Sequence, residues 1–170
     1  ADLDDWRCLA ELDGNVHIEN TNIVELDGLS NLTTISGNLK IYNNNSLLNI
    51  DGFSVLSSVG GDLSISSNFS LLSIDGFLSL SSVEGELYFA YNALLSIDGF
   101  SSLSSVGGDL DIKNNSSLLT IDGFSVLTSV GGALYIFDNS VLCQSFVDSL
   151  IANLLYVGGT TSTYGNDDGC

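Results

Sequence analysis

Basic side chains are nearly absent: three Lys and Arg stand against 21 Asp and Glu, a formal charge of −18 over 170 residues. So acidic a surface repels phosphate, which argues against nucleic acid and anionic lipid as partners and leaves cations and basic surfaces. The chain has one His and no Met. A single imidazole, with no phosphate-binding loop elsewhere, gives no nucleophile–base pair to build on, so the chain reads as non-catalytic and without a cofactor. Proline is also missing while Gly numbers 18, so turns fall to Gly, Asn and Asp. No run approaches the ~18 to 20 consecutive apolar residues of a membrane helix. The opening Ala1-Asp2-Leu3-Asp4, lacking both Met and a basic leader, is read as the mature start of a secreted or cell-surface chain. Hydrophobes are plentiful, at 44% with a mean hydropathy of +0.33, which excludes a disordered acidic tail and fits one packed domain.

The hydrophobes are periodic. A tetrapeptide Ile/Leu-Asp-Gly-Phe/Leu starts at Leu26, Ile50, Ile74, Ile97 and Ile121, in steps of 24, 24, 23 and 24. Each is followed by a segment such as Gly61-Asp62-Leu63-Ser64-Ile65 or Gly108-Asp109-Leu110-Asp111-Ile112, and Gly14-Asn15-Val16-His17-Ile18 opens the series. Apolar and polar residues alternate there, the period-2 signature of a strand with one buried face. Repeats of this length that each contribute one strand stack into a parallel solenoid. Asn44, Asn68, Asn92, Asn115 and Asn139 recur three residues after each strand's second apolar position, with Thr21 in the first slot. Stacked Asn side chains satisfy turn amides that a buried corner would otherwise strand.

The coil 107–130, GGDLDIKNNSSLLTIDGFSVLTSV, resembles the repeat of the receptor L-domain branch of leucine-rich-repeat-like solenoids, and the resemblance extends over about residues 9 to 142. It implies an all-β, right-handed parallel β-helix with coils of about 24 residues, as in the ligand-binding lobes of hormone and growth-factor receptors, fungal wall proteins and bacterial secreted proteins. It implies binding and no catalysis. The chain has one L-like unit and neither a Cys-rich module nor a kinase, so hormone binding and ligand-contact residues are not carried over.

A solenoid needs plugs at both ends. The spacing of Phe146, Val147, Leu150, Ile151, Leu154 and Leu155 predicts a capping helix of about 12 residues. Leu3, Trp6 and Ala10 suggest a shorter N-terminal cap. The expected division is a cap over 1–13, solenoid repeats over 14–142, and a capping helix with a tied-back tail over 143–170. Cys143 and Cys170 bracket that last segment and are expected to form a disulfide. At ~4.8 Å per coil Cys8 lies too far from Cys143 to bridge it. Cys8 is then either buried and free or linked to another chain.

Function is expected on the outward columns. One runs His17, Lys40, Ser64, Tyr88, Asp111, Tyr135 and the next Glu19, Tyr42, Ser66, Ala90, Lys113, Phe137. Tyr42, Tyr88, Tyr135 and Phe137, with Lys40, Lys113 and Asp111, are the candidate binding residues, because exposed aromatic and mixed-charge side chains carry recognition. A second column, Val24, Leu48, Leu72, Leu95, Leu119 and Leu142, follows the core residues Ile23, Leu47, Leu71, Leu94, Leu118 and Val141. It either forms an apolar association stripe or turns inward at a local bend. Asp27, Asp51, Asp75, Asp98 and Asp122 are expected to cap their own turns. Asp62, Glu86 and Asp109 form an acidic column that could hold Ca²⁺. Paired hydroxyls from Thr33-Thr34 to Thr128-Ser129 form a lattice of the kind an ice-binding face needs. The expected function is a secreted adhesion or recognition module contacting protein or glycan. The alternatives are a structural subunit that assembles with its own copies through Leu48, Leu72, Leu95, Leu119 or Cys8, and an ice-binding protein.

Overall fold

The computed structural model describes residues 8–170, so the expectation for Leu3 and Trp6 lies outside the described residues. All pairing within the sheets is parallel. Seven four-residue strands build one long sheet: β2 (Val16–Glu19), β4 (Leu39–Tyr42), β6 (Leu63–Ser66), β9 (Leu87–Ala90), β12 (Leu110–Lys113), β14 (Leu134–Phe137) and β16 (Thr161–Tyr164). Seven two-residue strands build a narrow sheet: β1 (Glu11–Leu12), β3 (Thr34–Ile35), β5 (Ser58–Val59), β8 (Ser82–Val83), β11 (Ser105–Val106), β13 (Ser129–Val130) and β15 (Tyr156–Val157). On a third side β7 (Ser73–Ile74) and β10 (Ser96–Ile97) pair and a single bridge joins Ser96 to Thr120, and in three coils a short 3-10 turn begins at the Asp-Gly. Period-2 alternation explains the long sheet directly. Leu39, Leu63, Leu87, Leu110 and Leu134 stand in one register column facing inward, and each is 0% exposed.

Inside, the Phe of the tetrapeptide forms a spine. Phe53, Phe77, Phe100 and Phe124 stack with centroids 5.2 to 5.3 Å apart. The preceding Gly has a steric cause: a Cβ on Gly52 would lie 2.0 Å from the Leu26 carbonyl oxygen of the coil below.

The polar ladder is complete. Asn68 Nδ2 donates to the Ile41 carbonyl at 3.1 Å, and the Asn68 Oδ1 accepts the Asn44 backbone N–H at 3.0 Å. Asn92, Asn115 and Asn139 repeat the carbonyl contact one coil further on each time. Thr21 ends the ladder on Asn44 Oδ1. Asn166, which the repeat pattern did not mark, extends it upward by donating to the Ile136 carbonyl.

The residue before each ladder Asn takes a left-handed conformation: Asn20, Asn43, Ser67, Tyr91, Asn114 and Asp138 all have φ between 54° and 57°. Asn and Asp tolerate this region, whereas a bulky residue there costs about 1–2 kcal/mol. Tyr91 is therefore the strained member of the column. Its N–H contact to the next coil, 3.4 Å to the Lys113 carbonyl, is also the longest of the set.

The C-terminal cap departs from expectation in two ways. The helix α1 (Gln144–Asn153) is 10 residues long and buries Val147 and Leu150, while Leu155 lies beyond it, 86% exposed. The segment expected to fold back as a tail instead adds β15 and β16 to the two long stacks. Cys143 and Cys170 form the expected disulfide, with Cα atoms 5.7 Å apart. Closing a loop of this length stabilises the end coil by about 3 kcal/mol on the chain-entropy account. Cys8 is free and exposed, against the expectation that a free Cys8 would be buried.

Replacing Asn68 by Ala strands the Ile41 carbonyl and the Asn44 N–H inside the corner. It should lower unfolding free energy by about 3 kcal/mol, measured by urea denaturation, and a loss below about 1 kcal/mol would show that the ladder is dispensable.

Candidate functional site

The outer face of the long sheet gathers most of the candidate binding residues at one end. Register sets Tyr88, Asp111 and Tyr135 side by side in one column and Lys113 and Phe137 in the next. The Lys113 ammonium pairs with Asp111 Oδ2 and lies 4.8 Å from the Tyr88 ring centroid and 5.8 Å from that of Phe137. Tyr164, supplied by β16, stacks on Phe137 at 4.9 Å. The sequence reading missed Tyr164, because the strand that carries it lies outside the repeat. Tyr135 reaches sideways to the Thr160 hydroxyl at 3.3 Å. Lys40 and Tyr42 stand apart, toward the other end, where Lys40 pairs with Glu19 at 3.0 Å and lies over the Tyr42 ring.

Asp111 is the centre of this patch. It sits on an outward column yet is only 5% exposed, between its register neighbours Tyr88 and Tyr135 and paired with Lys113. Lys113 engages one oxygen, and the buried Oδ1 has no hydrogen-bond partner. A buried carboxylate oxygen left unpaired is costly. Burial works to lower the Lys113 pKa, but the hydrogen bond and charge of Asp111 outweigh it and hold the ammonium above its usual range. Burial raises the Tyr88 phenol, with Lys113 opposing.

The acidic columns have different fates. Asp62 and Asp109 each accept a backbone N–H of the next coil on Oδ1, from Glu86 (2.9 Å) and Ala133 (2.7 Å), continuing a series begun by Asn15 and Asn38. A Cβ on Gly85 would fall 2.2 Å from the Asp62 oxygen, which explains the Gly that precedes this position. Glu86 makes no such contact to the next coil; burial first, and the charges of Asp111, Asp62 and Asp109 next, raise its pKa. Among the described residues no group of three or more His, Cys, Asp or Glu is placed to hold a metal ion.

The second column, Asp27, Asp51, Asp75, Asp98 and Asp122, does not cap its turns as expected. The turns at Asp27, Asp51 and Asp122 carry no side-chain cap, and the backbone carbonyls of Asp27 and Asp51 close their own. Ile or Leu precedes and Gly follows each Asp, and the carboxylates lie toward the surface, where Asp75 accepts from the Ser73 hydroxyl at 3.1 Å and Asp98 from the Thr120 hydroxyl at 3.3 Å. Burial, then repulsion from Asp75 and Asp27, raises the pKa of Asp51.

The Leu column is exposed over most of its length: Val24, Leu48, Leu72, Leu95 and Leu119 range from 43% to 57%. Leu142 does not belong to it. Leu142 is fully buried and Val141 is 42% exposed, the reverse of the expected assignment. Counted from the ladder Asn, Leu142 matches Leu47, Leu71 and Leu118, and all four N–H groups bond back to that Asn carbonyl. Cys143 therefore takes the outward slot. In the hydroxyl array, Thr33, Ser57, Ser81, Ser104 and Thr128 each donate to a carbonyl of the coil below, and Ser82 donates to Glu84, which leaves at most one hydroxyl of each pair for any lattice.

Residues 7–75 match the family model of the Receptor L domain. Over those residues, fewer than half of the chain, the sequence is similar to receptor L domains. Comparison with curated proteins and with solved structures returned no match. L domains are ligand-binding modules, and the inward Leu and Asn columns that define the matched L-domain coils run on in register past residue 75. No helix among the described residues is long and apolar enough to cross a membrane.

Asp51 and Glu86 bind protons more tightly folded than unfolded. Their contribution to stability therefore falls as pH rises through the window between the ordinary carboxylate range and their raised pKa values, and recovers as pH is lowered. The melting temperature should rise as pH is lowered from neutrality toward the ordinary carboxylate range, with the slope reduced in Asp51→Asn and Glu86→Gln. A melting temperature that drops on this acidification would contradict the assignment.

Proposed function

We propose that this chain is a secreted, non-catalytic recognition module that binds a protein through the outer face of its long sheet, centred on Tyr88, Asp111, Lys113, Tyr135 and Phe137. The observation that carries the reading is the unpaired Oδ1 of Asp111 within an aromatic cluster, on a face that otherwise has no reason to bury a carboxylate. A donor from a partner completes that acceptor, and the rings around it supply large contact area at little entropic cost. The formal charge of −18 favours a partner with a basic surface and accelerates encounter with it. Similarity of residues 7–75 to a ligand-binding, extracellular family and the disulfide support secretion.

A screen against purified extracellular proteins tests this. Tyr88→Ala with Tyr135→Ala should weaken a partner's affinity by at least about tenfold, while circular dichroism shows an unchanged solenoid. Binding that ignores both substitutions, or no partner at micromolar concentration, would sink the reading.

The exposed Leu column favours a second reading, self-association through that face. The parallel Asp column beside it opposes contact between two copies at neutral pH. Light scattering should then show mass rising with concentration more strongly at pH 5 than at pH 7, and Leu72→Asp with Leu95→Asp should restore the monomer. A mass of 17.9 kDa under every condition excludes it.

A further inference from the structure

The strand-to-strand step shortens to 23 residues at two places, from Val16 to Leu39 at the first coil and from Leu87 to Leu110 inside the solenoid, and at the second the structure shows what the missing residue does. In the flanking coils the ladder Asn and the next core Leu are separated by a two-residue turn, Phe69-Ser70 or Ser116-Ser117. Between Asn92 and Leu94 only Ala93 remains, and the turn is absent. The shortened corner is recessed between its two neighbours. An open cleft of about 520 Å³ results, floored by Asn92 and Ala93 and walled by Phe69 on one side and Ser116 and Ser117 on the other.

Two side chains at this cleft break local rules. Phe69 is 61% exposed and Tyr91 is 51% exposed, although neither is needed by the core. Tyr91 also occupies the left-handed slot that the other coils give to Asn, Asp or Ser. Strain and exposed aromatic surface placed together at a gap in a repeat mark a site kept for binding. Ser67 and Asn114 complete the rim with a hydroxyl and an amide, and no acidic or basic side chain lines the cleft.

We infer that this notch binds a neutral pyranose unit of a glycan. Ring faces of Phe69 and Tyr91 pack against the apolar C–H face of a sugar, and the surrounding hydroxyls and amides exchange hydrogen bonds with its hydroxyl groups. The absence of a cation in the lining, within so acidic a molecule, excludes sialylated or sulfated sugars. The cleft adjoins the Asp111 patch through Tyr91 and Asn114 but shares no residue with it, and the inference does not depend on the function proposed above.

The test is a titration of the isotope-labelled chain with neutral hexose and N-acetylhexosamine oligosaccharides, alongside sialylated and sulfated counterparts, followed by amide resonances. Neutral sugars should shift the amides of Phe69, Tyr91 and Ala93, and charged ones should not. Phe69→Ala should weaken binding by at least about tenfold. Tyr91→Asn separates binding from folding, because it installs the residue type that the backbone prefers: the melting temperature should rise by roughly 2–4 °C while sugar binding is lost. Inserting Ser between Ala93 and Leu94 should fill the notch with the same loss. The proposal is overturned if no neutral sugar shifts these amides at about 10 mM, if charged sugars bind as well, or if the variants bind unchanged.

Discussion

Every coil of this protein depends on one requirement, that the backbone groups turned inward at a corner find partners in the adjacent coil. Buried amide and carbonyl groups without partners are too costly to keep. The ladder from Thr21 through Asn44, Asn68, Asn92, Asn115 and Asn139 to Asn166 answers that need by bonding both up and down the stack. Because each Asn is shared between coils, the corner fixes the register. Register in turn aligns the Phe spine, the inward Leu column and the Asp62 and Asp109 contacts, none of which would close if one coil slipped.

With the interior fixed in this way, the outward positions of the long sheet are released from structural duty. They hold Ser at one coil, Tyr at another and a buried Asp at a third. That freedom explains why the patch around Asp111 can exist at all. Its cost is carried by a rigid scaffold stabilised elsewhere, by stacked aromatic rings and by a disulfide at the end coil. The same logic applies to Tyr91. A solenoid with four Asn or Asp residues and one small Ser in the left-handed slot tolerates one bulky Tyr there, and the shortened coil beside it removes surface that a regular repeat would have filled.

Charge follows the geometry and not the composition. Asp62 and Asp109 are structural because a Gly before the next coil's amide lets their oxygens reach it. Asp27 to Asp122 remain at the surface because the backbone closes those turns by itself. Two columns of the same residue type thus act oppositely: one ties coils together, and the other places like charges beside an exposed apolar stripe.

Much of this was legible in the sequence. Period-2 alternation and the tetrapeptide gave parallel coils, the recurrent Asn gave the ladder, and Cys143 and Cys170 gave the disulfide, because each is a local pattern with a single physical solution. Tyr88, Asp111, Lys113, Tyr135 and Phe137 were identifiable as outward residues for the same reason. Hydrophobicity does not rank Val141 against Leu142, whereas the three-residue step from Asn139, the same as from Asn44 to Leu47, does. Other features were not legible. Cys8 could be placed far from Cys143 but not exposed or buried, and Tyr164 joined the patch through a strand with no repeat signature. The one-residue deletion near Ala93 was visible as a step of 23, yet its meaning as a notch exists only between neighbouring coils. Periodicity determines which residues share a column; packing between coils, which sums contacts distant in sequence, decides what each column meets.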